Sequence, residues 1–205
     1  MMRFVYTALG DSLTTGVGTL FSDGFVNKYA RYLEKHFRTD VVTYTHAKPK
    51  ITSKDLLHLI QLPSVRKDIA ASNIITITIG GNDLLQSYKH AKKHKQPKLL
   101  ANAFYEFNRN LRLILNDIFH LKETNYSPFT IQMVGLYNPY PHVPHSHDWI
   151  RLYNQSIRSV TSSMIRYVEL QNPFSYYGKK VLSPGIHPNK KGYNLMVNQL
   201  ISSLH

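Results

Sequence analysis

Three residues far apart in the chain have the types that acyl chemistry needs. Ser12 lies in "TALGDSLTTGVG", residues 7–18, where an apolar run stops at Gly10. Asn82 lies in "TIGGND", residues 78–83, after a second apolar run. His187 lies in "SPGIHPN", residues 183–189, before a C-terminal amphipathic stretch. A serine hydroxyl is a weak nucleophile. It needs a base, commonly an imidazole, and hydrogen-bond donors where the oxyanion develops. His187 supplies the imidazole, and Asn82 and the Ser12 N–H supply donors. Each group also has a plainer reading. Asp11-Ser12 and Asn82-Asp83 suit helix N-caps, and His187 suits an ordinary loop. What favours the chemical reading is that the clusters fall at predicted strand ends.

The elements that must position these groups alternate in type. FVYTAL (4–9), VVTYTHA (41–47), the Ile/Thr-rich run starting at 73, TIQMVGLY (130–137) and a short stretch at 167–170 read as strands. Helical periodicity is predicted over 23–37, from Thr52 or Ser53 to a stop at Pro63, over 99–121, over 147–166, and after His187 with Pro188 in the first turn. This β-α-β-α order predicts an α/β domain with a parallel sheet covered on both faces. In such sheets ligands bind beyond the carboxyl ends of the strands. No repeat or linker divides the chain, so residues 1–205 are expected to form one domain.

"ALGDSLTTGVG", "TIGGNDLL" and "GIHPNKKGY" together resemble the SGNH hydrolases of the GDSL lipase/esterase family. "GFVNKYARYLE" and "GLYNPYP" are similar to the Bacillus-type intracellular and spore lipase branch. The resemblance implies a flavodoxin-like three-layer α/β/α sandwich with about five strands. It implies hydrolysis of carboxylic esters without a cofactor or metal. It also implies Ser12 as nucleophile, His187 as base, and Asn82 with the Ser12 N–H in the oxyanion hole. The α/β-hydrolase elbow G-x-S-x-G is not matched, since Thr14 stands at its last position.

Two positions depart from the family pattern. Pro184 stands where the family has an Asp three residues before the histidine. Losing such a carboxylate costs about 10⁴ in turnover in a serine protease. Ser183 is the alternative orienter of the imidazole. Lys50, in "KPKITSKDLL", stands where the family has an oxyanion-hole glycine, and only its backbone N–H could serve. The departures predict a weakened esterase. They also keep open a silent relative that binds a lipid, ester or glycan.

The charge balance supplies the remaining expectations. Twenty-five Lys+Arg against 12 Asp+Glu gives a formal +13. The densest run, Lys89–Lys98, reads either as a mobile basic segment or as a contact for an anionic membrane surface. No nucleic-acid motif accompanies the lysines. Absent cysteines exclude thiolate catalysis. The histidines His142, His145 and His147 have no Cys or Glu nearby, and Pro141 and Pro144 suit a rigid loop rather than a metal site. Tyr137 and Tyr140 are candidates for lining an acyl pocket. Without a signal peptide or spanning segment the expected location is cytoplasmic, and the resemblance adds spore association.

Overall fold

The structure, a computed structural model, describes residues 4–19, 24–123 and 128–204. Five parallel strands form one sheet: β1 (Phe4–Gly10), β2 (Val41–Ala47), β3 (Ile74–Thr78), β4 (Thr130–Val134) and β5 (Ile165–Val168). Their spatial order is β2-β1-β3-β4-β5. Helices α1 (Phe25–Phe37), α7 (Gln171–Tyr177) and α8 (Lys190–Ser202) cover one face. Helices α2 (Ser53–Leu59), α3 (Pro63–Ala71), α5 (Lys98–Glu123) and α6 (Ser146–Arg158) cover the other. Helix α4 (Gly81–His94) follows β3 and packs on α5. This is the expected three-layer α/β/α arrangement.

Side-chain alternation explains the two cores. Along β4, Ile131 and Met133 enter the α5 side, while Gln132 and Val134 face α1 and α8. The central strands are buried on both faces, so they read as nearly continuous apolar runs. The polar exceptions are paired. Tyr6 Oη meets Thr76 Oγ1 at 2.9 Å, and Tyr29 Oη donates to Gln132 Oε1 at 2.7 Å. Gln132 Nε2 then donates to the Leu200 carbonyl at 2.8 Å, tying α1, β4 and α8 together.

Several boundaries differ from the sequence expectation. Pro63 does not close the helix begun at Ser53; it opens α3 at its first turn, where its missing N–H costs nothing. Pro188 lies outside α8, bridged to Leu182, and Asn189 caps the helix by accepting from the N–H groups of Lys191 and Gly192. Helix α6 stops at Arg158 rather than 166. There Ser162 Oγ accepts from the N–H groups of Met164 and Ile165 and turns the chain into β5, which starts two residues earlier than expected. The basic run is not a loose segment, because Lys89–His94 complete α4 and Lys95 ends it in the left-handed conformation. The helices α3, α4 and α7 had no counterpart in the sequence expectation.

Candidate active site

The strand order creates the site. From β1 the chain moves to β2 on one side, while β3 takes the other side, which opens a crevice at the carboxyl edge. Gly10 pairs in register with both Ala47 and Thr78. Its φ is +142°, and a Cβ there would stand 2.3 Å from the Thr78 carbonyl oxygen, so glycine is required.

Ser12 follows in a tight coil rather than at the start of a regular helix. Thr15 N–H returns to the Asp11 carbonyl at 3.1 Å and Val17 N–H to that of Ser12 at 3.1 Å. Asp11 is buried and holds this coil. Its Oδ1 accepts from Leu13 N–H and from Thr78 Oγ1, both at 3.0 Å. Burial pushes its carboxyl up to about 6, against the pull of those two donors.

His187 Nε2 lies 2.9 Å from Ser12 Oγ although 175 residues separate them. That is hydrogen-bond distance for proton transfer. Partial burial holds the imidazole below its ordinary range, favouring the neutral form a base needs. Among the described residues no group accepts from ring Nδ1. Ser183 does not fill that role: its Oγ donates to the His187 carbonyl at 3.0 Å, and its N–H does so at 2.9 Å. The loop is therefore fastened through its backbone, not through the ring. Tyr137 adds a brace that the sequence reading missed. Its Oη donates to the Ile186 carbonyl at 2.5 Å while its ring stacks on Phe174 at 4.3 Å. Gly18, at φ +101°, lies against the same loop; a Cβ there would meet His187 Cβ at 2.9 Å.

Asn82, in the first turn of α4, donates from Nδ2 to the Ile51 carbonyl at 2.9 Å and lines the cavity beside Ser12. The second Nδ2 hydrogen is available to a ligand. Asp83 accepts from Ser53 N–H at 3.0 Å and Ser53 Oγ at 2.5 Å, and Asn110 Nδ2 reaches the same hydroxyl at 3.0 Å. Burial raises the Asp83 carboxyl. Gln86 Nε2 donates to the Lys50 carbonyl at 3.0 Å. One helix end thus clamps the whole 50–53 loop. Lys50 sits at φ +68°, so the left-handed backbone survives with a lysine in it. That conformation costs a non-glycine residue about 1–2 kcal/mol. The Lys50 side chain is exposed and is not part of the cavity wall.

Ser12, Asn82 and His187 open onto a cavity of about 440 Å³. Its walls are mainly apolar, with Leu84, Leu136, Val143, Trp149 and Ile150 prominent, and both Tyr137 and Tyr140 line it. His145 pairs with Asp148 at 3.7 Å, and among the described residues no cluster of metal-ligating side chains occurs.

Residues 8–195 match the GDSL-like Lipase/Acylhydrolase family. The chain belongs to that family. It is 32% identical to the spore germination lipase LipC of Bacillus licheniformis, over 97% of this chain and 95% of that one. It superposes on the crystal structure of the lipase Lip_vut3, from a goat rumen metagenome, with a TM-score of 0.92 and 31% identity, covering 98% and 97% of the two chains. The acetylxylan esterase Axe2 of Geobacillus stearothermophilus shares the fold at a TM-score of 0.72 and 16% identity, over 100% of this chain and 96% of that one. The family is one of lipases and esterases, so this chain is placed among hydrolases of carboxylic esters.

Proposed function

We propose that residues 1–205 act as one catalytic domain, a serine esterase that works through an acyl-enzyme on Ser12. The 2.9 Å contact between His187 Nε2 and Ser12 Oγ carries this reading. His187 takes the Ser12 proton as Oγ attacks the ester carbonyl. The oxyanion is met by the Ser12 N–H and Asn82 Nδ2, with the Lys50 N–H as a third candidate donor. His187 then protonates the leaving alcohol and activates the water that releases the acid. Without a carboxylate on Nδ1 the imidazolium is less stabilised, so turnover is lower than in a full triad. The apolar cavity favours acyl chains longer than acetyl.

The test is hydrolysis of p-nitrophenyl butyrate and octanoate by wild type and Ser12→Ala. Wild type should cleave both, octanoate with the higher kcat/KM, and the variant neither above background. Equal rates for the two proteins would end the assignment. Nδ1 without an acceptor among the described residues, together with Lys50, favours a second reading, a ligand-binding relative without turnover; retained octanoate binding with no hydrolysis by wild type would support it.

We also propose that the outward lysines Lys93, Lys95 and Lys98 hold the enzyme on anionic lipid, consistent with their exposure. Their neutralisation should weaken binding to phosphatidylglycerol vesicles while sparing hydrolysis of soluble esters. An equal fall in both would refute this docking role. No helix among the described residues is long and apolar enough to cross a membrane. Likeness to the spore germination lipase LipC favours association with the spore.

A further inference from the structure

Helix α4 divides the basic run into two faces. Asn82, Leu84, Leu85, Tyr88, Lys89 and Lys92 all line the cavity, at spacings that make one stripe along the helix. Lys93, Lys95 and Lys98 do not touch it. The stripe therefore changes character with distance from Ser12. It begins at the oxyanion donor, continues as leucine and tyrosine, and ends in two ammonium groups. At 1.5 Å per residue, Lys89 and Lys92 stand about 10 and 15 Å along the axis from Asn82.

The opposite wall matches the apolar middle, with Leu136, Val143, Trp149 and Ile150. Among the described residues the cationic end has no counter-charge, and Asp11 is the single carboxylate on the cavity wall; it lies at the catalytic end and is engaged by Leu13 N–H and Thr78 Oγ1. Among the described residues neither Lys89 nor Lys92 has an ion-pair partner. A wall that is apolar for a little over one helical turn and then doubly cationic is complementary to a chain with the same profile.

We infer that the cavity selects esters whose acyl chain carries an anionic group at its far end, bound by Lys89 and Lys92. This rests on the ester-hydrolase reading of the same cavity. An extended chain advances about 3.3–3.6 Å per three bonds, so the span from scissile carbonyl to anion is about nine to thirteen bonds. An ω-carboxyacyl ester of a medium-chain diacid has this shape. Lys89 and Lys92 are exposed, so solvent screens them, and their two contacts together should favour it over the methyl-terminated chain about tenfold.

Trp149 makes the test independent of turnover, because it lines the cavity and is the one tryptophan of the sequence. Its fluorescence is followed while Ser12→Ala is titrated with monomethyl decanedioate or methyl decanoate. The monoacid should bind about tenfold tighter. Adding Lys89→Gln and Lys92→Gln should erase the preference, whereas Lys93→Gln with Lys98→Gln should leave it intact. Equal affinities, a preference that survives loss of Lys89 and Lys92, or one lost equally with the outward pair would overturn the inference. If the preference behaves as expected but wild type hydrolyses neither ester, the anion subsite stands and only the hydrolase reading falls.

Discussion

The two halves of the site are built differently. On the nucleophile side, Gly10, Asp11, Thr14 and Thr78 interlock, and Asn82, Asp83 and Gln86 clamp the 50–53 loop. On the base side, Pro184 and Gly185 are exposed and nothing lies within 4 Å of a Cβ built on Gly185. Among the described residues the His187 ring has one hydrogen-bond partner, Ser12 Oγ, and the loop is held by backbone contacts from Ser183 and Tyr137. Placement of the Ser12 hydroxyl and the Asn82 amide is over-determined, whereas placement of the imidazole depends on a few main-chain ties. With Pro184 in the loop, those ties still keep Nε2 on the serine.

The contrast can be broken from either side. On the firmer side, Asn82→Ala removes an oxyanion donor and should lower kcat by about 10²–10³ with little change in KM. A rise in KM alone would mean that Asn82 only binds substrate. On the looser side, Pro184→Asp returns a carboxylate to the open part of the loop. It should raise kcat by at least about tenfold and move the acid limb of the pH–rate profile upward, because a nearby anion stabilises the imidazolium. In wild type that limb should fall below pH 6.5, since burial lowers His187 and a base works when neutral. An unchanged limb in the variant would show that the carboxylate does not reach the ring.

Tyr137→Phe tests the backbone brace. Loss of the bond to Ile186 should cost about 1 kcal/mol of stability and several-fold in kcat, read by thermal unfolding and by butyrate hydrolysis. A stability loss with unchanged kcat would make Tyr137 purely structural. Asp11 gives a pH signature of the firmer side. Its folded carboxyl is raised from 3.8 to about 6, so it contributes stability below the lower value that is lost as pH rises to the upper one. Urea unfolding of Asp11→Asn across this window should show a flatter pH dependence than wild type. The smallest effect is expected from Lys50→Gly, which relieves left-handed strain but adds unfolded-state entropy, for a net change within about 1 kcal/mol.

Legibility from sequence followed the same division. The strands were readable because buried parallel strands leave apolar runs; Ser12 and Asn82 stood out because strand ends punctuated by glycine and polar residues mark the carboxyl edge, and His187 because it lies between Gly185 and Pro188 just before the last helix. The family-level expectations for fold and ester chemistry were also carried by those motifs. The braces left no such trace. Tyr137 looks like any aromatic near a strand end, and its role depends on where the Ile186 carbonyl falls in a loop some fifty residues away. Asp83 reads as a helix cap, yet its partner is Ser53 across the crevice. The two faces of the Lys89–Lys98 run appear only once α4 is known to be helical and to line the cavity.

The most direct test of a His187-activated Ser12 is covalent labelling with a fluorophosphonate, mapped by peptide mass spectrometry. Wild type should gain one phosphonyl group, on the peptide containing Ser12, and His187→Ala should label at least about 10³-fold more slowly while remaining folded. Labelling at another residue, or equal rates with and without the imidazole, would contradict the account.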